Sequence, residues 1–597
     1  MLESGESADN AAALSNDEAM ANGKQKYRGR LELTWTNKDE ALLSREDGSY
    51  EWVPKRDHRV AEVRLLRDAG TVGEVHPEAE RAKDNLLIRG DALHALTALN
   101  SLPEFAAEYA GKVKLVYIDP PFNTGQAFAQ YDDGLEHSVW LTMMRDRLEQ
   151  IADLLTPDGS VWVHLDDAEM AYCRVAMDAI FGRENFVATI VWQRRDGRPN
   201  DAIIGQAHDY ILVFAKDITQ FARMRNRLVR TEGQEAAYQN PDDDPRGPWR
   251  NDNYTSNKSK DERPNSWFPI VRPADGAEIW PKPHAVWRYS PERHAQNVAE
   301  ERLWWGAHGL NNMPKLKRFR SEVEGIVPMT WWPFTECGST RNAKDELKKL
   351  FPGAPPFATP KPERLMERVI TIASNPGDIV LDCFAGSGST AAVAHKMGRR
   401  WVTCELSHET LDTFTAPRLE KVVKGEDAGG ISAIVEWEGG GGFRVLDVAP
   451  SMYEEDAGVV VLADWAENSK LAEVVAAQLG FTYVPDPPFH GQHGRMRLAV
   501  IDGHLDEAVV RLLLRALPEG QRLSLAATSL DPEAAALLAK LKSGSQARVV
   551  PQDILLSYRT PSAWRAAVAK PEPEAPDASG QPTDAAPPSE EGSVSVA

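Results

Sequence analysis

At 597 residues the chain has length for about four domains of roughly 150 residues. Hydrophobic residues make up 42% and charged residues 26%, a globular balance that excludes disorder of the whole chain. The net charge of -21 argues against a simple basic nucleic-acid binder, and no run of about 18 apolar residues predicts a membrane span.

Residues 1–25 are acidic and polar, with neither a basic n-region nor an apolar h-region. They are expected to be a disordered leader, not a secretory signal. Residues 26–84 read as a small N-terminal module, with strand-like alternation at 30–36 and a strand or short helix at 60–67. An α/β region spans 85–216. Its expected strands are 85–89, 113–118, 160–165, 186–192 and 208–215, with helices at 92–99, 140–155 and up to 181. Residues 217–350 lose this alternation and hold eight of the 17 Trp; 18 Lys/Arg face 17 Asp/Glu between 217 and 336. This neutral, Arg- and Trp-rich insert is the part of an acidic chain that could grip a polyanion. Regularity returns over 351–438, with an amphipathic helix over 360–373, a strand at 378–382, a helix over 389–397 and a strand at 400–405. Gly439–Gly442 reads as a hinge into a small C-terminal α/β domain, 439–568, and 569–597 as a disordered tail.

Two constellations carry chemistry. The first is Asp382-Cys383-Phe384-Ala385-Gly386-Ser387-Gly388-Ser389-Thr390, a strand running through a Gly-rich turn into a helix, followed by Glu405 at the end of the next strand. Gly386 and Gly388 allow a sharp bend and close backbone approach to a ligand. A carboxylate at the position of Glu405 can take both hydroxyls of a ribose. The third glycine of a dinucleotide fingerprint is missing, and no P-loop pattern occurs, so a nucleoside without phosphates such as S-adenosylmethionine fits better. Alone, the segment also fits a glycine-tolerant strand–helix turn. The second is Asp119-Pro120-Pro121-Phe122 at a strand end. Two prolines fix the backbone and remove N–H donors, leaving the Asp119 carboxylate and the Pro120 carbonyl as acceptors beside the flat ring of Phe122. That suits an exocyclic amino group on a planar base. Alone, it also fits a proline-rich strand end with a core Phe. The four Cys (Cys173, Cys337, Cys383, Cys404) form no CxxC pair, which speaks against disulfides or zinc and for a cytoplasmic setting. His208, His284, His294 and His308 lack ligand spacing, so no metal is expected.

Together these motifs resemble the amino-methylating DNA methyltransferases of the permuted beta order, in which the DPPY/DPPF motif precedes the FxGxG motif. The resemblance covers roughly residues 85–410. It is carried further by Gly90-Asp91, the stretch 155–167 ending in Asp166-Asp167, Phe181–Phe186 with Trp192, His208–Lys216, Lys361-Pro362, and a GGGGFR run at 439–444 similar to modification subunits of type III restriction–modification systems. Phe122 stands where Tyr is commoner.

The resemblance implies an α/β, Rossmann-like S-adenosylmethionine-dependent methyltransferase sheet, built from 85–216 as its catalytic half and 351–438 as its cofactor-binding half, with 217–350 as an inserted target-recognition domain. It implies S-adenosylmethionine as cofactor. Asp119, Pro120, Pro121 and Phe122 would be catalytic. Asp91, Asp119, Lys361, Asp382, Phe384, Ala385, Gly386, Ser387, Gly388, Ser389, Thr390 and Glu405 would bind the cofactor. The acceptor would be adenine N6 in a base flipped out of duplex DNA. Cytosine-C5 chemistry needs a Cys nucleophile, typically after Pro, which is absent here. Cytosine N4 stays open, although its enzymes more often carry Ser at the Asp119 position. Double-stranded DNA, a second copy of the chain and a restriction subunit are the partners implied. A non-catalytic DNA-binding specificity subunit, or an enzyme methylating RNA or protein amino groups, are the rivals. Arg246–Arg250, Asn251–Asn253 and Lys315–Arg320 supply the residue types for reading base edges and gripping phosphates.

Overall fold

The computed structural model describes residues 32–44, 50–123, 127–128, 131–132, 136–197, 203–282, 284–456, 459–466 and 469–550. The readings made above for 1–25, for 30–31 and for 569–597 lie outside these residues. The chain parts after Tyr453 into two compact units. No helix among the described residues is long and apolar enough to cross a membrane.

The first unit is organised by a sheet whose strands are β1 (Leu66–Gly73), β2 (Asn85–Arg89), β3 (Val113–Ile118), β4 (Leu155–Leu165), β5 (Phe186–Gln193), β6 (His208–Ala215), β7 (Trp331–Trp332), β8 (Ile379–Asp382), β9 (Arg400–Glu405) and β10 (Gly442–Val448). Their spatial order is β7-β5-β6-β4-β3-β8-β9-β2-β10-β1. All run parallel except β6 and β1. The seven strands expected from 85–216 and 361–410 form one contiguous block. All six residues of β3 are buried, the pattern of a strand covered by helices on both faces. The helix Glu363–Ala373 buries Leu365, Met366, Val369, Ile370, Ile372 and Ala373 against this sheet. At about 1.5–3 kcal/mol for a large apolar side chain, that face contributes on the order of 10 kcal/mol of gross burial.

Three edge strands were not expected there. Residues 32–39 are irregular chain and turn, and the N-terminal strands are instead the hairpin Glu40–Ser44 and Tyr50–Pro54. The segment read as a strand or short helix divides into a helical turn, His58–Ala61, and β1. Gly439–Gly442 is not a hinge between domains. It leads into β10, which pairs with both β2 and β1. A Cβ on Gly442 would lie 2.3 Å from the Glu74 carbonyl oxygen, so glycine serves close backbone packing here. Arg444 then forms ion pairs with Asp68, Glu78 and Asp84.

The insert has its own small core of Tyr254, Ile270, Trp287, Trp305 and Leu316. Short strands frame it, and Trp331–Trp332 ties its end to β5. The second unit is a five-stranded sheet in chain order: Thr482–Asp486, Phe489–His493, Met496–Leu505, Arg522–Leu530 and Gln546–Val549. Its last three strands are parallel, with the helices Glu507–Ala516 and Pro532–Leu541 as crossovers. The opening hairpin and the last strand are not marked by apolar runs: Thr482–Asp486 and Gln546–Val549 hold no buried residue, and Phe489–His493 carries one large apolar residue.

Candidate active site

β3 and β8 lie side by side, although some 260 residues separate them in sequence. The chain leaves β3 toward β4 on one side and leaves β8 toward β9 on the other. The gap above their carboxyl ends is therefore a topological switch point, where ligands of open α/β sheets bind. Both sequence constellations open onto it.

At the end of β3 the prolines stop the strand, and Asn123, with φ at 60°, turns the chain away. Trp140, fully buried on the helix His137–Leu154, donates from Nε1 to the Pro121 carbonyl at 2.7 Å. Glu169 accepts from Asn123 Nδ2 at 2.7 Å. The motif is thus held from both sides. Asp119 Oδ2 pairs with Lys361 Nζ, whereas its buried Oδ1 has no hydrogen-bond partner among the described residues. Phe122 stacks on His164, with ring centroids 5.9 Å apart and planes 16° apart. Lys361 Nζ lies 5.2 Å from the Phe122 ring centroid. His164 is itself held by the Tyr117 hydroxyl at 2.7 Å and by Asp209 at 3.3 Å. Burial pushes its imidazole below the ordinary value, so the ring under Phe122 is neutral.

At the end of β8, Gly386 (φ 51°) and Gly388 (φ 74°) take the left-handed conformation that the turn requires. Gly388 caps the helix Ser389–Lys396, and a Cβ there would meet Thr415 Cγ2 at 3.2 Å. Glu405 accepts from the Gly386 N–H at 2.8 Å and from the Ser407 N–H at 2.9 Å. Asp382 accepts from the Phe384 N–H at 3.0 Å. Burial pushes the Asp382 carboxyl up to about 7 and raises that of Glu405. Asp91 caps its helix through Leu93 N–H at 2.7 Å and pairs with Arg147 at 2.7 Å. Against the desolvation of burial, Arg147 keeps the Asp91 carboxyl below its usual range. Behind the loop, Arg418 donates to Ser389 Oγ at 2.8 Å, and Ser389 Oγ donates to the Lys361 carbonyl at 3.0 Å. The lysine segment and the glycine loop are thereby braced together.

The ends of β3 and β8 open onto a cavity of about 460 Å³. Of the expected site residues, Asp91, Asp119, Pro121, Lys361, Asp382, Phe384, Ala385, Gly386, Ser387, Ser389, Thr390 and Glu405 line it. Pro120, Phe122 and Gly388 do not, though each adjoins a residue that does. Sequence reasoning missed Tyr50, Tyr117, Met143, Arg147 and Phe357, which also line it. Only Tyr117, two residues before Asp119 and so on the same strand face, left a signal in the pattern. The others reach the cavity from elements whose placement the pattern does not reveal. Arg147 and Lys361 are each taken up by a carboxylate, and neither Asp382 nor Glu405 has a cationic partner among the described residues. The cavity is therefore electronegative. It suits a cationic nucleoside with free hydroxyls and repels phosphates.

The DNA methylase family (N6_N4_Mtase) matches residues 113–416. The chain is 30% identical to the probable type III restriction-modification enzyme HindVI Mod subunit of Haemophilus influenzae, over 66% of this chain and 57% of that one. It is 29% identical to the StyLTI Mod subunit of Salmonella typhimurium, over 51% of this chain and 49% of that one. It is 25% identical to the EcoP15I Mod subunit of Escherichia coli, over 63% of this chain and 67% of that one. The chain thus spans about half to two thirds of the length of these relatives. The matched region begins at β3 and ends beyond β9, so it contains both motifs that meet at the switch point, and the chain belongs to the DNA methylase family.

Proposed function

We propose that this chain transfers a methyl group from S-adenosylmethionine to the N6 amino group of adenine in duplex DNA, as the modification component of a restriction–modification system. One observation carries the reading. An aspartate with a buried carboxylate oxygen that has no hydrogen-bond partner among the described residues shares a cavity with two further carboxylates that have no cationic partner among them.

The residues fit the donor. Glu405 keeps lone pairs beyond its two backbone bonds and would hold the ribose hydroxyls. Asp382 would face the donor's ammonium group, and the glycine loop would admit its backbone. When bound, the donor supplies an electrophilic methyl group on a sulfonium sulfur. Asp119 Oδ1 accepts a hydrogen bond from the exocyclic amine, and the Pro120 carbonyl accepts the second. Both favour the pyramidal nitrogen that forms as its lone pair leaves the ring. Asp119 need not be a strong base, because the amine proton becomes acidic only as the N–C bond forms; it then passes to Oδ1. Extrusion of the base costs a few kcal/mol. Stacking on Phe122, at about 1–3 kcal/mol, offsets much of this. Phe122 rests on the neutral His164 ring, so its plane is preset.

Asp at position 119 favours adenine over cytosine N4 through the resemblance stated above. Cytosine-C5 chemistry is disfavoured on separate grounds: all four thiols are buried, and burial pushes each above its usual range. A restriction subunit is the partner proposed, because the relatives named above are Mod subunits of type III restriction-modification enzymes; a second copy of the chain is proposed on the resemblance alone. The test is transfer of labelled methyl groups into duplex DNA, with nucleoside analysis of the product. We expect N6-methyladenine, and Asp119→Ala should lose transfer by at least about 100-fold. Label appearing in RNA or protein but not DNA would overturn the reading, and N4-methylcytosine would overturn the choice of base.

A further inference from the structure

Two stretches singled out for their residue types, 246–253 and 315–320, are paired in space. Trp249–Asn253 and Lys315–Phe319 form an antiparallel ribbon with Arg250 opposite Arg318 and Asp252 opposite Leu316. On a pleated ribbon these four share a face, of which the Leu316 end packs into the insert's core while Arg250 and Arg318 reach solvent; the alternate residues Trp249 and Phe319 point to the other side and are buried. Like charges directly opposite each other destabilise a ribbon unless a counter-charge intervenes. Asp252 intervenes. Its Oδ2 takes Arg318 Nη2 at 2.9 Å, and its Oδ1 takes Arg288 Nη1 at 3.1 Å. Arg288 arrives from the strand Val286–Trp287 and also donates to the Asn253 carbonyl at 3.1 Å. Arg250 lies 5.6 Å over the Tyr238 ring. The side chains of Arg288 and Arg318 each remain 40% exposed. Three guanidiniums are thus presented together, two of them oriented by one carboxylate.

We propose that Arg250, Arg288 and Arg318 form a guanine-reading face of the insert, with Asp252 as its positioning residue. The proposal rests on the DNA-methylating function proposed above. A two-stranded ribbon fits the major groove, and a bidentate arginine matches the O6 and N7 acceptors of guanine. The carboxylate decides between base and phosphate. A phosphate would be repelled by an aspartate sitting between its two guanidinium partners. A neutral base edge is not repelled and gains from a fork whose orientation is already set. The molecule offers a contrast. A separate cavity of about 590 Å³ is lined by Arg223, Arg225 and Arg227, which form no ion pair among the described residues, and also by Glu324 and by Glu235, which holds Arg230 and Arg320. The three arginines without a carboxylate partner, and not the two held by Glu235, are suited to phosphate.

The test uses the full-length protein and single-molecule sequencing of host DNA methylated by wild type, Arg318→Ala, Arg288→Ala, Asp252→Asn and Arg318→Lys, with Arg225→Ala as a phosphate control. The wild-type motif should contain guanine. Arg318→Ala, Arg288→Ala and Arg318→Lys should relax it at a guanine position, by about tenfold to a hundredfold in discrimination. Lys keeps charge and fold but not the fork, so it should behave like Ala. Asp252→Asn should lower discrimination without lowering affinity for unrelated duplex. Arg225→Ala should weaken binding uniformly and reduce the log–log salt slope by about 1. A guanine-free wild-type motif overturns the proposal. So does an unchanged motif in the variants, or uniform weakening in Arg318→Ala with a lower salt slope, which would mark phosphate contact. If wild type methylates no DNA, the proposed function itself fails; if it methylates DNA and the variants keep the motif, only this inference does.

Discussion

Replacing Asp382 by Asn should stabilise the unliganded protein at alkaline pH and weaken its hold on a cationic donor. The carboxyl titrates at about 7 in the fold, because burial disfavours its charge, against an ordinary value of 3.8. Between those two pH values the folded chain binds one more proton than the unfolded chain. Unfolding free energy therefore falls as pH rises through the window and is flat above it. Three pKa units at about 1.36 kcal/mol each give a cost on the order of 4 kcal/mol at pH 8.5. Asn keeps an oxygen to accept from Phe384 N–H but carries no charge, so the variant escapes that cost. A unit of some 450 residues has an unfolding entropy of about 1 kcal/mol/K, so the expected rise in Tm is about 4 °C at pH 8.5 and about half that at pH 5.5. Scanning calorimetry of both proteins at both pH values reads this double difference. Glu346, also pushed up to about 7 by burial, is common to both proteins and cancels. In the same samples, titration with S-adenosylmethionine should show wild-type affinity rising with pH through about 7, by up to tenfold per unit, and a flat profile for the variant. Parallel Tm profiles, or a variant less stable at pH 8.5, would refute the claim that a buried, uncompensated carboxylate sits in this cavity.

Phe122→Ala should lower kcat/KM for duplex DNA by about 5- to 150-fold, the equivalent of one lost base–aromatic stack, whereas Phe122→Tyr should stay within about tenfold of wild type. Steady-state methyl-transfer kinetics would show it, and an Ala variant with unchanged kinetics would remove Phe122 from the base-holding role. Lys396 pairs with Glu363 at 2.8 Å and Asp427 at 2.7 Å, all three being almost fully buried. Lys396→Met should therefore destabilise the first unit by about 3–5 kcal/mol, and Lys396→Met with Asp427→Asn should recover part of that loss. Urea unfolding followed by tryptophan fluorescence measures both, and an additive double variant would mean the pair is not coupled.

Much of this protein is legible before any fold is known. Apolar runs bounded by turn residues mark all seven strands of the central block, and Asp119-Pro120-Pro121-Phe122 announces a strand end, because proline cannot continue a central strand. Gly386 and Gly388 announce a turn that only glycine enters freely. The failures are equally physical. The glycines at 439–442 look like a hinge because glycine permits one, but here they let two backbones touch. The strand pattern at 30–36 has no sheet edge to join within its described part, and 32–39 is turn and coil.

Local pattern, then, determined the chemistry on offer: acceptors at a strand end, a glycine loop, an acid at the next strand end, and an arginine-rich insert. Tertiary structure decided what those groups do to one another. Asp119 meets Lys361 across 242 residues, Arg147 neutralises Asp91 from another helix, and Asp252 steers Arg288 and Arg318 from a neighbouring strand. The reason is that charge and desolvation act through space over a few ångströms. Periodicity tells which way a side chain faces; only the assembled sheet tells which other charge it faces.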